Sequence, residues 1–322
     1  LISYPIGPKS TLSFLGNYSA NRYLFRPKVQ STRFGTLTDV RQFTVYFDGQ
    51  EVDRFNTAFG ALTYDYKEKD RLHLSINASL FRSDEQENFD IIGQYWLQRV
   101  ETDFGKDDFG QAVGEPLGVG TFFNHARNAL NAIVANIGHQ GKLIGDKSEL
   151  AWGFRVQYED ILDRLHEWSL IDSAGYIIPR RPPNAILLRD TLSTRITLSS
   201  MRYSGFLQHS WNVQTPKGRY AITPGFRVSY WDYNRQVLFS PRITVLFKPA
   251  SLHRWAFRGS AGYYHQPPFY RELRNLLGKL NPDIKAQESL HFVLGSEYNF
   301  NAWDRPFKFT SEAYYKRLRN LI

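Results

Sequence analysis

Residues 219–271 read RYAITPGFRVSYWDYNRQVLFSPRITVLFKPASLHRWAFRGSAGYYHQPPFYR, three alternating runs joined by short turns. In the first run Tyr220, Ile222, Phe226, Val228 and Tyr230 share one parity, and Thr223, Gly225, Arg227 and Ser229 the other. In the second, Val237, Phe239, Ile243, Val245 and Phe247 oppose Ser240, Arg242, Thr244 and Lys248. In the third, Trp255, Phe257, Ala261 and Tyr263 oppose Arg254, Arg258, Ser260 and Gly262. Successive side chains of a strand point to opposite faces, so each run is predicted to have one apolar face and one polar, arginine-bearing face. A soluble sandwich would share that property. Strand length and connection pattern must decide between them.

Working outward, alternation recurs at 10–21, 55–67, 69–83, 149–158, 191–214, 289–300 and 306–317. Residues 121–142 are ambiguous between strand and helix on their Ala-rich part. Residues 22–54 read as a long loop with a weaker strand-like piece at 41–47, and 102–120, rich in Gly and Asp, as a second loop. Strand pairing after 83 resumes, on this reading, beyond Glu87. Residues 160–190 end in PRRPPN, which cannot take part in a ladder. About eleven strands result, many longer than the five or six residues usual in soluble sheets.

The connections also alternate. The turns KEKD, IGDKS, TPKG, KPASLH and NAWDRP are short, whereas the links at 102–120, 171–190 and 267–285 are long, with DYNRQ the short exception. Long antiparallel strands with short turns at one end and long loops at the other form the pattern of an outer-membrane barrel. Tyr230, Trp231, Tyr263 and Tyr264 near strand ends suit interfacial girdles, although aromatic residues also favour strands of any kind.

Composition is consistent with this fold class. The net charge of +9 over 322 residues is dispersed, and no basic helix or RNA-binding motif accompanies it, which argues against nucleic acid as a partner. There is no cysteine, hence no disulfide framework or thiol chemistry. No apolar run is long enough for a transmembrane helix, a test that a barrel strand escapes because only alternate residues face lipid. The chain starts at Leu1 and stops inside the run YYKRLRNLI, so it reads as an internal part of a longer protein.

The runs TPGFRVSYWDYNRQVLFSPRITVLFKP, WAFRGSAGYYHQPPFYREL, NPDIKAQESLHFVLGSEYNF and FTSEAYYKRLRNLI resemble the middle of the barrel in TonB-dependent outer-membrane transporters. Ser240–Arg242 match an FSPR strand start, 262–273 a passage of the type GYxxxxxPPxxxEL, and 281–285 an NPxLKPE element. Ala286 and Gln287 depart from the Pro-Glu of the last. GQYWLQRV, SAGYIIPR and SYPIGPKSTLSF are similar to earlier parts of the same barrel, so the resemblance covers most of the chain.

The resemblance implies a 22-stranded barrel of which residues 1–322 supply about half as part of one domain, appearing as an open or partial barrel when alone. A plug domain and the remaining strands would lie outside these residues. It further implies active uptake of a scarce nutrient (an iron chelate, cobalamin, an oligosaccharide or a peptide), driven through a TonB-type partner. Outer-membrane lipid, lipopolysaccharide and a surface binding lipoprotein are the other partners it raises. A passive porin or biogenesis barrel and a soluble all-β binding module are the alternatives. The module would show a repeat of about 40–50 residues, and the chain has none.

Site chemistry is sparse. Asp160, Asp163 and His166 sit three apart and would converge on a metal only if helical; a charged loop face is the preferred reading. Asp107 and Asp108 lack the spacing of an EF-hand and read as solvated loop. No Walker A, G-x-S-x-G, H-E-x-x-H or dinucleotide fingerprint occurs, so no catalytic or metal residues and no cofactor are expected, and the chain does not read as an enzyme. The loop YYHQPPFYRELR contributes His265, Tyr270 and Arg271 as candidate contacts for an anionic or aromatic ligand, bracing of the loop being their plainer role.

Overall fold

A computed structural model describes residues 1–172 and 188–321. Thirteen antiparallel strands form one sheet: β1 (Ile2–Gly7), β2 (Ser10–Phe25), β3 (Gln30–Gly35), β4 (Val40–Glu68), β5 (Leu72–Val100), β6 (Ala112–Ile144), β7 (Ser148–Asp172), β8 (Asp190–Thr215), β9 (Gly218–Trp231), β10 (Gln236–Pro249), β11 (Trp255–Gln266), β12 (Gln287–Ala302) and β13 (Arg305–Arg319). Neighbours in sequence are neighbours in the sheet, except that β3 pairs with the start of β4, whose remainder pairs with β2. β1 and β13 are the two edges, so the sheet is open.

Short links at 8–9, 69–71, 145–147, 216–217, 250–254 and 303–304 all fall at one end of the sheet, as their parity requires. The longer links at 101–111, 173–189 and 267–286 fall at the other. The PRRPPN segment lies outside the described residues. Two expected loops prove to be largely strand. Residues 22–54 contain the end of β2, all of β3 and the start of β4, and β5 runs unbroken through residue 87. β6 begins at Ala112 and is strand throughout its Ala-rich part. Pro116, which has no N–H to donate, is absorbed where the β5–β6 register slips between Leu97 and Arg99. The additions of β1 and β3 raise the strand number from about eleven to thirteen.

Cross-strand register sorts the side chains into two faces. On β9 and β10 one face carries Tyr220, Ile222, Phe226, Val228 and Tyr230 opposite Phe247, Val245, Pro241, Phe239 and Val237. Phe226, Val237 and Phe239 are exposed, as are Ile76 and Leu80 on β5, Ile137 on β6, Phe154 on β7 and Phe292 on β12. This outer face is an apolar band with aromatic rims: Tyr220 stacks on Phe247 and Trp255 packs on Tyr298 at the short-turn rim. Tyr158, Tyr203, Tyr230 and Tyr263 mark the opposite rim. Above them the outer face turns polar, with Arg82, Asp84, Gln86 and Asn88 on β5 and Asp160, Arg164 and His166 on β7. Crossing a bilayer takes about 9–11 residues of tilted strand. β4, β5 and β6, of 29, 29 and 33 residues, therefore extend far beyond the band.

The inner face carries Arg227, Ser229, Ser240 and Arg242, with Arg202, Glu159 and Asp163 in the same register set. Parity also corrects the girdle. Trp231 is on this inner face and only 3% exposed, and Tyr264 folds over Gly262 against His291. Tyr230 and Tyr263 alone of the four keep the rim position.

Candidate functional site

The longest described link, residues 267–286, does not extend away from the sheet. Pro267 and Pro268 end the ladder of β11, and a single 3-10 turn, Tyr270–Leu273, follows. Glu272 Oε2 accepts the Phe269 N–H at 2.8 Å at the start of that turn. Leu273 is fully buried among Ile161, Leu198 and Trp231, with Leu280 and Ile284 packed around them. The hydrophobic contacts of this chain that exclude water most completely are thus made by a loop laid over three strands. Asn275 Oδ1 accepts from the N–H groups of Leu277 and Lys279. Gly278, at φ +71°, lies against Thr194, where a Cβ would meet Cγ2 at 2.4 Å.

Polar contacts fix this strap. Asp163 Oδ2 accepts from the Tyr270 hydroxyl at 2.8 Å and from Arg274 Nη1 at 3.1 Å. Arg271 Nη2 reaches Glu85 Oε2 at 3.5 Å. Beneath it, the Arg202 guanidinium lies 3.7 Å from the centre of the Trp231 ring. Arg202 Nε is 2.9 Å from Glu159 Oε1 yet unaligned for a hydrogen bond. We therefore treat that contact as an ion pair. Trp231 Nε1 donates to Ser200 Oγ at 3.0 Å. Burial, then the Asp163 carboxylate, raises the Tyr270 phenol above its ordinary range, so it stays a donor.

Two recesses flank the strap. One, of about 280 Å³, is acidic, lined by Asp53, Glu85, Glu87 and Asp163 with Arg271 and Arg274 facing them. Asn128 ties its wall together by donating to Glu87 at 3.0 Å and Glu167 at 2.7 Å. This part of β4 lies beyond the apolar band, past Asn56 and Arg54 on the outer face. Desolvation, followed by repulsion from neighbouring carboxylates, raises both Glu51 and Asp53 above the usual carboxylate range. The other recess, of about 180 Å³, is basic, with Arg155, Arg202 and Arg227 around Ser229, Trp231 and His265.

The three candidate contacts are therefore divided. His265 borders the basic recess, its Nδ1 3.0 Å from Ser240 Oγ. Tyr270 is half-buried and bound to Asp163, so its hydroxyl holds the strap. Arg271 borders the acidic recess with 74% of its side chain exposed. Asp163, Arg274, Glu85 and Arg202 complete the arrangement. Asp163 had only the i, i+3 spacing to single it out, and on a strand that spacing sends neighbours to opposite faces. Asp160 and His166 are exposed on the outer face of β7, and Asp163 is buried on the inner one. All three are in mid-strand and not at a strand end, contrary to the loop reading.

No curated protein matches the chain significantly. Among solved structures it is similar to the outer membrane transporter YddB from Escherichia coli (9% identity, 91% of this chain and 45% of that one, TM-score 0.39). It is also similar to the copper transporter OprC (11%, 98% and 55%, TM-score 0.44) and the siderophore receptor PirA from Pseudomonas aeruginosa (7%, 94% and 56%, TM-score 0.37). The chain spans about half the length of each. The family described as TonB dependent receptor-like, beta-barrel, matches residues 4–322. That match takes in both faces of the sheet and the strap, and by it the chain belongs to the TonB-dependent receptor family, as part of the β-barrel.

Proposed function

We propose that residues 1–322 form about half the wall of an outer-membrane transporter that takes up a scarce nutrient with energy from a TonB-type complex. The observation that carries this reading is the strap. A segment at the long-link end folds across the polar inner face and leaves a charged recess on each side. A rigid ladder holding such a segment presents ligand-facing groups without losing its own hydrogen bonds. Binding and translocation require no reactive side chain, in keeping with the polar but non-catalytic inner face.

In this reading the apolar band meets outer-membrane lipid, the short turns face the periplasm and the long links face outside. A plug domain occupies the inner face, and further strands close the barrel. His265 and Arg271 contact the incoming nutrient, and Tyr270 supports them. Relatives in structure carry different cargoes by name, copper and siderophores among them, and RagAB is a peptide transporter. The nutrient is an iron chelate, cobalamin, an oligosaccharide or a peptide, and a surface lipoprotein that delivers it is a further partner. Uptake of each class by cells carrying the intact receptor, with and without the proton motive force, tests the proposal. Energy-dependent uptake of one class, weakened by Arg271→Ala, supports it. Uptake indifferent to the proton motive force identifies a passive pore instead.

A further inference from the structure

The outer face above the apolar band contains a row of side chains that the transport reading does not use. Following the register across six strands, Arg22 of β2 lies opposite Arg54 of β4, Arg54 opposite Gln86 of β5, and Gln86 opposite Ala129 of β6. Ala129 lies opposite Arg164 of β7, and Arg164 opposite Arg195 of β8. All four arginines are exposed. Two pairs of like charges thus face each other directly, a placement that destabilises a sheet unless something offsets it.

Nothing on the protein does so. Among the described residues none of these four arginines makes an ion pair or a side-chain hydrogen bond, although twelve other basic side chains do form ion pairs. Neighbouring acids are few: Asp84 lies one row nearer the band, and Asp90, one row further out, is held by Arg127 and His125. The row spans five strand spacings, about 24 Å.

Its height identifies the partner. Arg22 is two outward positions beyond Tyr18, and Arg195 four beyond Tyr203. On strands tilted by about 40° those separations place the row about 10–20 Å above the aromatic rim. A phospholipid headgroup layer is only about 5–7 Å thick. We infer that this arginine row binds the phosphate groups of an outer-leaflet glycolipid whose phosphorylated saccharide rises past the headgroup layer, the chemistry of lipopolysaccharide. A guanidinium takes a phosphate through two parallel hydrogen bonds, and one phosphate between two facing arginines removes their repulsion.

The test uses the intact receptor in detergent, titrated with rough lipopolysaccharide, its dephosphorylated form, and phosphatidylglycerol. Bound lipid is read by native mass spectrometry and by the shift in melting temperature. A basic side chain near an anionic surface contributes a factor of about five, so each arginine pair removed should weaken binding roughly 30-fold. Arg54→Gln/Arg164→Gln and the fourfold Arg→Gln variant should lose lipopolysaccharide progressively, whereas Arg317→Gln on β13, outside the row, should not. Dephosphorylated glycolipid and phosphatidylglycerol should bind weakly to every form. Because Gln relieves repulsion, the variants should fold, which heat-modifiable gel migration checks. Undiminished lipopolysaccharide binding by the folded fourfold variant, equal binding of the dephosphorylated form, or equal binding of phosphatidylglycerol would overturn the inference.

Discussion

Asp163→Ala should release the strap while leaving the barrel wall intact. Asp163 is 5% exposed and receives the Tyr270 hydroxyl at 2.8 Å and Arg274 at 3.1 Å. Hydrogen bonds to a charged group contribute about 1.5–3 kcal/mol each, and breaking a buried ion pair costs about 3–5 kcal/mol. Arg274 keeps 29% of its side chain in solvent and regains part of its hydration on release, which favours the lower end. About 3 kcal/mol remains, a factor of roughly 150 in the opening equilibrium. Hydrogen exchange in the intact receptor reads this directly. The N–H groups of Asn281 and Gly278, which donate to Leu273 and Asn275, should exchange about 100-fold faster, up to the free-chain rate. Amides of β9 and β10 should be unchanged. Asp163→Asn, which keeps an acceptor for Tyr270 and loses the charge, should fall between. Unaltered exchange at 273–281, or acceleration spread over the whole ladder, would refute a strap held by Asp163.

Phe226, near the middle of the apolar run of β9, should tolerate arginine poorly. Refolding titrations should show Phe226→Arg losing about 2–4 kcal/mol, Val228→Arg less because it lies next to the rim, and Ser229→Arg least. Asp53→Asn should stabilise the folded protein at neutral pH. A carboxyl with a raised folded value destabilises above that value, and the effect disappears as pH falls through it toward the unfolded one. The gain should therefore fade on acidification in paired denaturation curves. Epitope tags at 101–111, 173–189 and 267–286 should bind antibody on whole cells, and a tag at 216–217 should not.

How much of this was legible varied with position, for physical reasons. Where a strand lies within the band, apolar and polar residues alternate, and Tyr220 to Tyr230 display their facing openly. Beyond the band both faces are polar, so 48–56 and 84–90 continue the ladder with no contrast of period two to reveal it. That is why 22–54 reads as loop and is mostly strand. Trp231 follows Tyr230 directly, and adjacent residues cannot share a rim. Its indole needed a partner inside the barrel, Ser200, which is remote in sequence. The strap was the least legible feature. Asp163 stands 107 residues from Tyr270 and 111 from Arg274, and only the folded ladder brings β7 beside the end of β11.

Accessibility of Phe226 and Arg227 tests the central claim, a membrane-spanning wall with one lipid face and one inner face. Nitroxide labels on Phe226→Cys and Arg227→Cys, in the intact receptor reconstituted into bilayers, are compared for collisions with oxygen, which concentrates in lipid, and with a water-soluble nickel chelate. The account predicts that the label at 226 is relaxed mainly by oxygen and the label at 227 shows little of that lipid signature. A label at 226 relaxed by the nickel chelate, or one at 227 relaxed mainly by oxygen, would contradict it.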